Sequence, residues 1–122
     1  MIRVVDVETS WQVTENGGYD PSPFHPDNIL VSVGIDDEYF FTNHSEKIDK
    51  GCFHKIQELL DTTTLLVGHN IKFDLMWLLE SGFKYEGRVY DTMIGEYILN
   101  KGIRKSLTLE MCCRRRKIGS KD

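Results

Sequence analysis

The order of sequence patterns predicts an α/β fold built on a mixed β-sheet. Three runs rich in β-branched and aromatic residues come first, with at least one short connection, which is typical of an antiparallel meander. Helical and strand patterns then alternate as helix, strand, helix, strand, helix, and helical crossovers add parallel strands to a sheet. The hydrophobic and charged fractions, 40% and 28%, are those of one ordinary globular domain.

The first third of the chain supplies the predicted meander. Strands are expected over residues 2–7, 29–35 and 39–42, because these runs are apolar and rich in β-branched or aromatic side chains. Residues 10–28 hold all three prolines and a Gly-Gly pair, so we predict a long loop there. Loops of this length are often functional rather than simple connections.

The remaining residues supply the alternating helices and strands. The predicted elements, in chain order, are a helix over residues 45–61, a strand over 64–68, a helix over 71–80, a strand over 88–90, a helix from 91 or 92 to about 100, and a last helix from about 106. Ligands of open α/β sheets bind at the carboxyl ends of strands, so polar residues at those ends are candidates for function.

Charge and composition exclude several classes of protein. Residues 1–100 carry 7 Lys/Arg and 17 Asp/Glu, a balance of −10, whereas residues 101–122 carry 8 and 2, a balance of +6. The basic segment is either a phosphate-contacting patch or a helix end that favours cations. No apolar run approaches the ~20 residues of a membrane span, and the first residues lack a signal-peptide pattern. Three cysteines without a C-x-x-C pair fit a reducing cytoplasm, the expected location.

Two acids at the end of the first strand are the first candidates for chemistry. Asp6 and Glu8 lie two residues apart, so a strand directs both carboxylates to one face. Two such acids repel unless a cation lies between them, and Mg²⁺ or Mn²⁺ takes oxygen ligands of this kind. The alternative is a pair of solvated acids that begins a loop.

A second polar cluster follows the strand at residues 64–68. His69 and Asn70 come just after that strand, and Asp74 lies four residues beyond Asn70, on the same side of the next helix. That helix is strongly apolar, and an unpaired carboxylate is costly in such surroundings. A metal ion, a water network or a partner acid would explain Asp74, whereas helix capping is an alternative role for His69 and Asn70.

Taken in order, these motifs resemble a known family. V-D-V-E-T at residues 5–9 and G-H-N-x-x-F-D at 68–74 resemble the first two motifs of DEDD-type 3′–5′ exonucleases. Y-D-T-M-I-G-E-Y-I-L-N at 90–100 and S-L-T-L-E-M at 106–111 are similar to the next elements of the proofreading domain of family A DNA polymerases. The loop and strand at 21–34 are similar to phage versions of that domain. The resemblance implies an RNase H-like fold, in agreement with the predicted strand order.

The resemblance also implies roles for particular residues. Asp6, Glu8 and Asp74 match the catalytic acids that hold two divalent metal ions, Mg²⁺ or Mn²⁺. Thr9 and Asn70 match positions that contact or position the terminal nucleotide, whereas Asp91 matches an acid that is usually structural. The implied substrate is the 3′ end of single-stranded DNA, in proofreading during DNA replication. The implied location is the cytoplasm, which would be the host cytoplasm for a phage protein, with no membrane partner.

One element of the family pattern has no counterpart in the sequence. The family has a fourth carboxylate in a third motif, with a tyrosine or histidine a few residues before it, and the final residues I-G-S-K-D do not match it. We therefore expect residues 1–122 to be an exonuclease domain whose C-terminal part is incomplete. A polymerase domain or C-terminal segment encoded elsewhere is the expected partner, and without it Met76 or Trp77 is expected to be uncovered.

Two other functions remain open on the sequence. One is an RNA-directed exoribonuclease of the same superfamily. The other is a nucleic-acid-binding or structural remnant without catalysis. A downstream reading frame that encodes the missing motif and a polymerase domain would favour the proofreading enzyme over the remnant.

Overall fold

A five-stranded mixed sheet forms the centre of the protein. The computed structural model describes residues 1–42, 48–100 and 106–117. The strands are β1 (Ile2–Thr9), β2 (Gln12–Val13), β3 (Tyr19–Asp20), β4 (Leu30–Ile35), β5 (Glu38–Phe41), β6 (Leu65–Gly68) and β7 (Arg88–Asp91). The helices are α1 (Lys50–Asp61), α2 (Ile71–Glu80), α3 (Thr92–Leu99) and α4 (Leu109–Arg116).

The strand order in this sheet is β5-β4-β1-β6-β7. Strands β1, β4 and β5 pair in antiparallel fashion, with a short connection between β4 and β5 and the long 10–28 segment between β1 and β4. Strand β6 pairs in parallel with β1, and β7 pairs in parallel with β6, each following a helix in the chain. The predicted α/β class, with a meander followed by helix–strand units, is confirmed, and the arrangement is consistent with an RNase H-like exonuclease fold.

The core packs against one face of the sheet, and every second side chain of β1 points into it. Val5 and Val7 are buried, whereas Asp6 and Glu8 between and beyond them are exposed. This alternation is the period of two that a strand imposes on its side chains. The buried apolar residues contributed by β4, α1, β6 and α2 are Leu30, Val33, Ile35, Ile56, Leu60, Leu66, Ile71, Trp77 and Leu78. Burying the apolar face therefore leaves the two carboxylates on the opposite face.

The predicted long loop contains a short β-hairpin. Strands β2 and β3 pair Gln12 with Asp20 and Val13 with Tyr19 in a separate two-stranded sheet. Gly17 occupies the turn with a φ of +79°, a conformation that glycine adopts without strain. Two-residue strands are too short to show an alternating pattern in the sequence, so the prediction of a continuous loop was wrong here.

Two helices begin later than their sequence patterns predicted. Helix α1 begins at Lys50 rather than near residue 45, because the Asp49 side chain accepts hydrogen bonds from Gly51 N and Cys52 N; residues 43–47 lie outside the described part. Helix α4 begins at Leu109, after the Thr108 cap. Side-chain caps set both boundaries. None of the helices in the described residues has the length and apolar character of a membrane span.

The arginines of α4 are used within the fold. Glu96 on α3 is buried and accepts from Arg115 Nε at 2.8 Å and Arg116 Nε at 3.0 Å. Arg114 pairs with Glu110 at 2.9 Å on the helix surface. The two hydrogen-bonded guanidinium groups lower the pKa of Glu96. All three arginines of α4 therefore have carboxylate partners within the fold, whereas Lys101, Arg104, Lys105 and Lys121 of the basic segment lie outside the described residues.

Candidate active site

Asp6 and Glu8 stand at the carboxyl end of β1 on its exposed face. They are opposite Gly34 and Ser32 of β4, and the pairing register shifts between Glu8 and Thr9. Both acids are exposed, and they share one face of β1 because side chains two residues apart on a strand project to the same side. They are available to a ligand that approaches this end of the sheet.

Asp74 reaches the same strand from α2. Strand β6 pairs with β1 only as far as Val4, so the later residues of β1 have no strand neighbour on that side. Asp74 lies there, 3% exposed, and its Oδ1 accepts from the backbone N of Val7 at 3.4 Å. The Asp74 carboxylate therefore lies beside Val7, the residue between Asp6 and Glu8.

The surroundings of Asp74 disfavour its charged form. Burial is the main cause, and the negative charges of Asp6, Asp91 and Glu8 add to it, so that the pKa of Asp74 is raised to about 7. The hydrogen bond from Val7 acts in the opposite direction but is weaker. A cation among these carboxylates would relieve the repulsion that raises this pKa.

The carboxylates have the chemistry of a divalent-cation site, but their side chains do not form a complete cluster. Asp6, Glu8 and Asp74 offer the oxygen donors that Mg²⁺ and Mn²⁺ prefer. Within the residues described, no three His, Cys, Asp or Glu side chains are grouped closely enough to hold a metal ion. The backbone nevertheless places Asp74 against Val7, which lies between Asp6 and Glu8 on β1.

His69 is a structural residue in this arrangement. Its Nδ1 is 2.8 Å from Thr92 Oγ1, and its Nε2 contacts the carbonyl oxygen of Leu107. Both ring nitrogens are therefore engaged, one with the start of α3 and the other with the segment before α4. The bridging contacts replace helix capping as the interpretation of His69. They hold α3 and α4 near the end of β6.

Asn70 occupies the N-cap position of α2 but does not cap it with its side chain. Its φ and ψ are 60° and 54°, the left-handed conformation that asparagine tolerates better than most residues. Its side chain is exposed and makes no capping hydrogen bond. Thr9, the other predicted nucleotide-contacting residue, is half-buried where β1 ends. Both residues thus border the end of β1 or of β6.

Asp91 accepts hydrogen bonds from backbone N–H groups at the starts of two helices. Its Oδ1 accepts from Asn70 N and Met93 N, both at 2.9 Å, and its Oδ2 accepts from Ile71 N at 3.2 Å. Free N–H groups at helix N-termini favour a carboxylate in this position. The structural role that the family resemblance implied for Asp91 agrees with these contacts. Its place as the last residue of β7 explains how it reaches both helices.

We expect Asp91→Ala to destabilise the protein by about 2–4 kcal/mol, because three backbone donors lose a charged acceptor. The free energy of unfolding, measured with urea, tests this value. Asp91→Asn keeps one acceptor oxygen and should lose less. Equal stability of wild type and Asp91→Ala would contradict the capping role.

Gly68 allows Asp74 to lie close to the end of β6. A Cβ at position 68 would be 3.3 Å from Asp74 Oδ2 and 3.1 Å from Ile71 Cδ1. We expect Gly68→Ala to destabilise the protein by ~1–3 kcal/mol, as overpacking usually does, and to displace the Asp74 carboxylate. Urea unfolding measures the loss. Equal stability of wild type and Gly68→Ala would contradict the crowding at this position.

Trp77 was missed as an organising residue of the site. It is 3% exposed, and its Nε1 donates to the carbonyl oxygen of Pro21 at 3.0 Å. The expectation that Trp77 is uncovered was therefore wrong, because the 10–28 segment packs over it; Met76 is half-buried. An apolar residue on an apolar helix gives no sequence signal for a hydrogen bond to a residue 56 positions away.

The fold and the acids at the end of β1 define a nuclease-like α/β domain. A family model described as 3′–5′ exonuclease, of the DNA polymerase A type, matches residues 14–113. The chain belongs to this 3′–5′ exonuclease domain family, whose members are hydrolytic nucleases and generally depend on divalent metal ions. The matched region contains Asn70 and Asp74, whereas Asp6 and Glu8 precede it. No curated protein matches the chain.

Proposed function

We propose that the protein hydrolyses the 3′-terminal phosphodiester of single-stranded DNA as a proofreading exonuclease of the DEDD type. The observation that carries the proposal is the position of Asp74 against Val7 N, beside the strand that bears Asp6 and Glu8. Membership of the 3′–5′ exonuclease family supports a nuclease reaction for a site near Asp74, which lies inside the matched residues 14–113. Three carboxylates from two elements then serve one reaction.

Asp6, Glu8 and Asp74 would hold the divalent ions, Mg²⁺ or Mn²⁺. Two such ions supply an activated water and stabilise the charge of the leaving oxygen. Asp74 is fixed by its backbone hydrogen bond and by the packing of α2, whereas the two exposed acids of β1 can turn towards it. The rigid acid on the helix would therefore set the position to which the others adjust.

Thr9 and Asn70 would contact the terminal nucleotide. The backbone of Asn70 is left-handed, and its side chain makes no capping hydrogen bond. Asn70 lies about one helical turn before Asp74, so its side-chain amide is available there as donor and acceptor. Thr9 lies next to Glu8 at the shift in strand register. Together they border the acids from the strand and helix sides.

A partner completes the proposed function. The fourth carboxylate of the DEDD pattern matches nothing after Met111, so we propose that a further C-terminal segment or a polymerase domain supplies it. A phage origin is part of the same proposal and rests on the similarity of residues 21–34 to phage forms. A cytoplasmic location, with the host cytoplasm as that of a phage protein, follows from it.

A gel assay with manganese tests the function. The substrate is a 5′-labelled single strand of DNA, and the expected product is a ladder that shortens from the 3′ end. A version of the chain extended through the third motif should act far faster than the 122-residue chain, because a missing ligand leaves the attacking water poorly placed. A misplacement of about 1 Å costs on the order of a hundredfold.

The same assay separates the other two functions. Faster digestion of a matched RNA strand would replace the proofreading proposal with the exoribonuclease. Absence of digestion by the extended chain, with binding of the single strand retained, would favour the remnant without catalysis. The family match favours neither alternative.

A further inference from the structure

An aromatic pair is exposed on the hairpin that follows β1. The rings of Trp11 and Tyr19 are 4.3 Å apart between centroids, at an interplanar angle of 71°. Trp11 is 52% exposed and Tyr19 is 67% exposed, so both aromatic residues lie largely at the surface. Solvent-exposed rings that hold each other in an edge-to-face arrangement present a preformed apolar surface.

The hairpin that carries this pair is anchored to the rest of the fold. Asn28 is buried, and its Nδ2 donates to the carbonyl oxygens of Asp20 and Ser22 at 2.8 and 3.0 Å. The Trp77 indole of α2 donates to Pro21 next to Asp20. The aromatic pair is therefore held by contacts that lead directly to the helix carrying Asp74.

The pair also lies close to the candidate acids along the chain. Trp11 follows Glu8 by three residues, and an extended chain spans at most about 3.6 Å per residue, so the two Cα atoms are within ~11 Å. The hairpin begins where β1 ends, at the end of the strand that carries Glu8. The hairpin is therefore within reach of a strand of DNA whose terminus lies at the acids.

The charge of the hairpin region indicates how it would bind. Residues 10–28 contain Glu15, Asp20 and Asp27 but no Lys or Arg. Attraction to phosphates, which dominates most nucleic-acid binding, is absent from this segment. Aromatic side chains bind single strands through the faces of the bases instead, with little dependence on sequence.

We propose that Trp11 and Tyr19 form a stacking platform for unpaired bases adjacent to the 3′-terminal nucleotide. The proposal rests on the proposed function and extends it by assigning substrate-binding residues outside the exonuclease motifs. Duplex DNA has its bases stacked on each other, so the platform would select a frayed or single-stranded end. Its contribution would be to binding, because the contact involves bases and not the reacting phosphate.

A binding titration tests the platform. The probe is a short single strand of thymidine nucleotides whose 3′-terminal linkages are phosphorothioates, so that hydrolysis is slow, with Mg²⁺ present. Trp11→Ala is expected to raise Kd about 5- to 150-fold, the range observed when one aromatic base contact is removed. Trp11→Phe should keep most of the affinity, because its ring still stacks. Tyr97→Ala removes an aromatic side chain of similar exposure, 47%, from α3 and is the matched control.

Fluorescence and salt give two readouts that a structural role of Trp11 would not produce. Base stacking should quench Trp11 emission in wild type, and the Trp11→Phe variant should bind without this quenching because buried Trp77 remains its only tryptophan. The ratio of Kd between Trp11→Ala and wild type should be the same at low and high salt. An abasic nucleotide at the stacked position should remove the difference between these two proteins.

The outcomes distinguish this proposal from the proposed function. Loss of affinity in Trp11→Ala but not in Tyr97→Ala, with quenching in wild type, supports the platform. Equal Kd values for Trp11→Ala, Tyr97→Ala and wild type overturn it, even if the gel assay shows Asp74-dependent digestion. Conversely, stacking by Trp11 without any digestion by the extended chain would leave the platform in place and overturn the exonuclease.

Discussion

Replacing Asp74 with alanine is expected to reduce exonuclease activity by at least about a hundredfold in any form of the protein that is active. Asp74 is the acid that the fold holds in place, through burial and its hydrogen bond to Val7 N. Removing the Asp74 carboxylate would take away one proposed metal ligand, and it is the ligand whose position the fold fixes. Misplaced reacting groups typically cost a factor of this size. The measurement is the initial rate of shortening of a single-stranded substrate with manganese.

Two further variants test whether the loss is specific to Asp74 and its charge. Glu80→Ala removes an exposed carboxylate from the other end of the same helix, so its rate should match wild type. Asp74→Asn preserves shape but removes the charge, and we expect it to be nearly as impaired as Asp74→Ala. Unchanged activity in Asp74→Asn would show that the charge of Asp74 is dispensable.

The stability of the metal-free protein is expected to fall as pH rises from about 4 to about 7. The pKa of Asp74 is about 7 in the folded protein, against an ordinary value near 3.9 in the unfolded chain. The folded state therefore binds a proton that the unfolded state has released across this interval, and it is favoured at the lower pH. A difference of about three pKa units corresponds to ~4 kcal/mol.

Asp74→Asn isolates this contribution. The amide stays neutral at every pH and can still accept from Val7 N, so its stability should lack this fall and exceed that of wild type near pH 8. Urea unfolding in the presence of a chelator gives the comparison. Glu96, whose pKa is lowered, acts at more acidic pH in the opposite direction and cancels in the difference between the two proteins. Parallel pH profiles for wild type and Asp74→Asn would contradict the raised pKa.

The sequence predicted the fold well because its patterns are local and repeated. Alternation in β1 identifies the buried Val5 and Val7 and places Asp6 and Glu8 on the other face. Short connections predict antiparallel pairing, and helices between strands predict the parallel additions. Boundaries were less accurate where a side-chain cap decided them, as Asp49 does for α1.

The residues of the candidate site remain predictions from the sequence, and the sequence could not predict their contacts. Spacing identified Asp6, Glu8 and Asp74, yet no local pattern shows that Asp74 accepts from Val7, 67 residues earlier. The same limit applies to Asp91, which accepts hydrogen bonds from backbone N–H groups at the starts of both α2 and α3. Such contacts depend on where β6 ends beside β1, which is a property of the assembled sheet.

The proposal that Asp6, Glu8 and Asp74 share a cation site is tested most directly by titrating the protein with Mn²⁺ in a calorimeter. Wild type is expected to bind, and Asp6→Asn, Glu8→Gln and Asp74→Asn should each weaken binding by at least about tenfold, since each removes a charged oxygen donor. Glu80→Gln, the matched acid on α2, should bind as wild type does. Equal Mn²⁺ affinity in wild type and all three site variants would contradict a shared site.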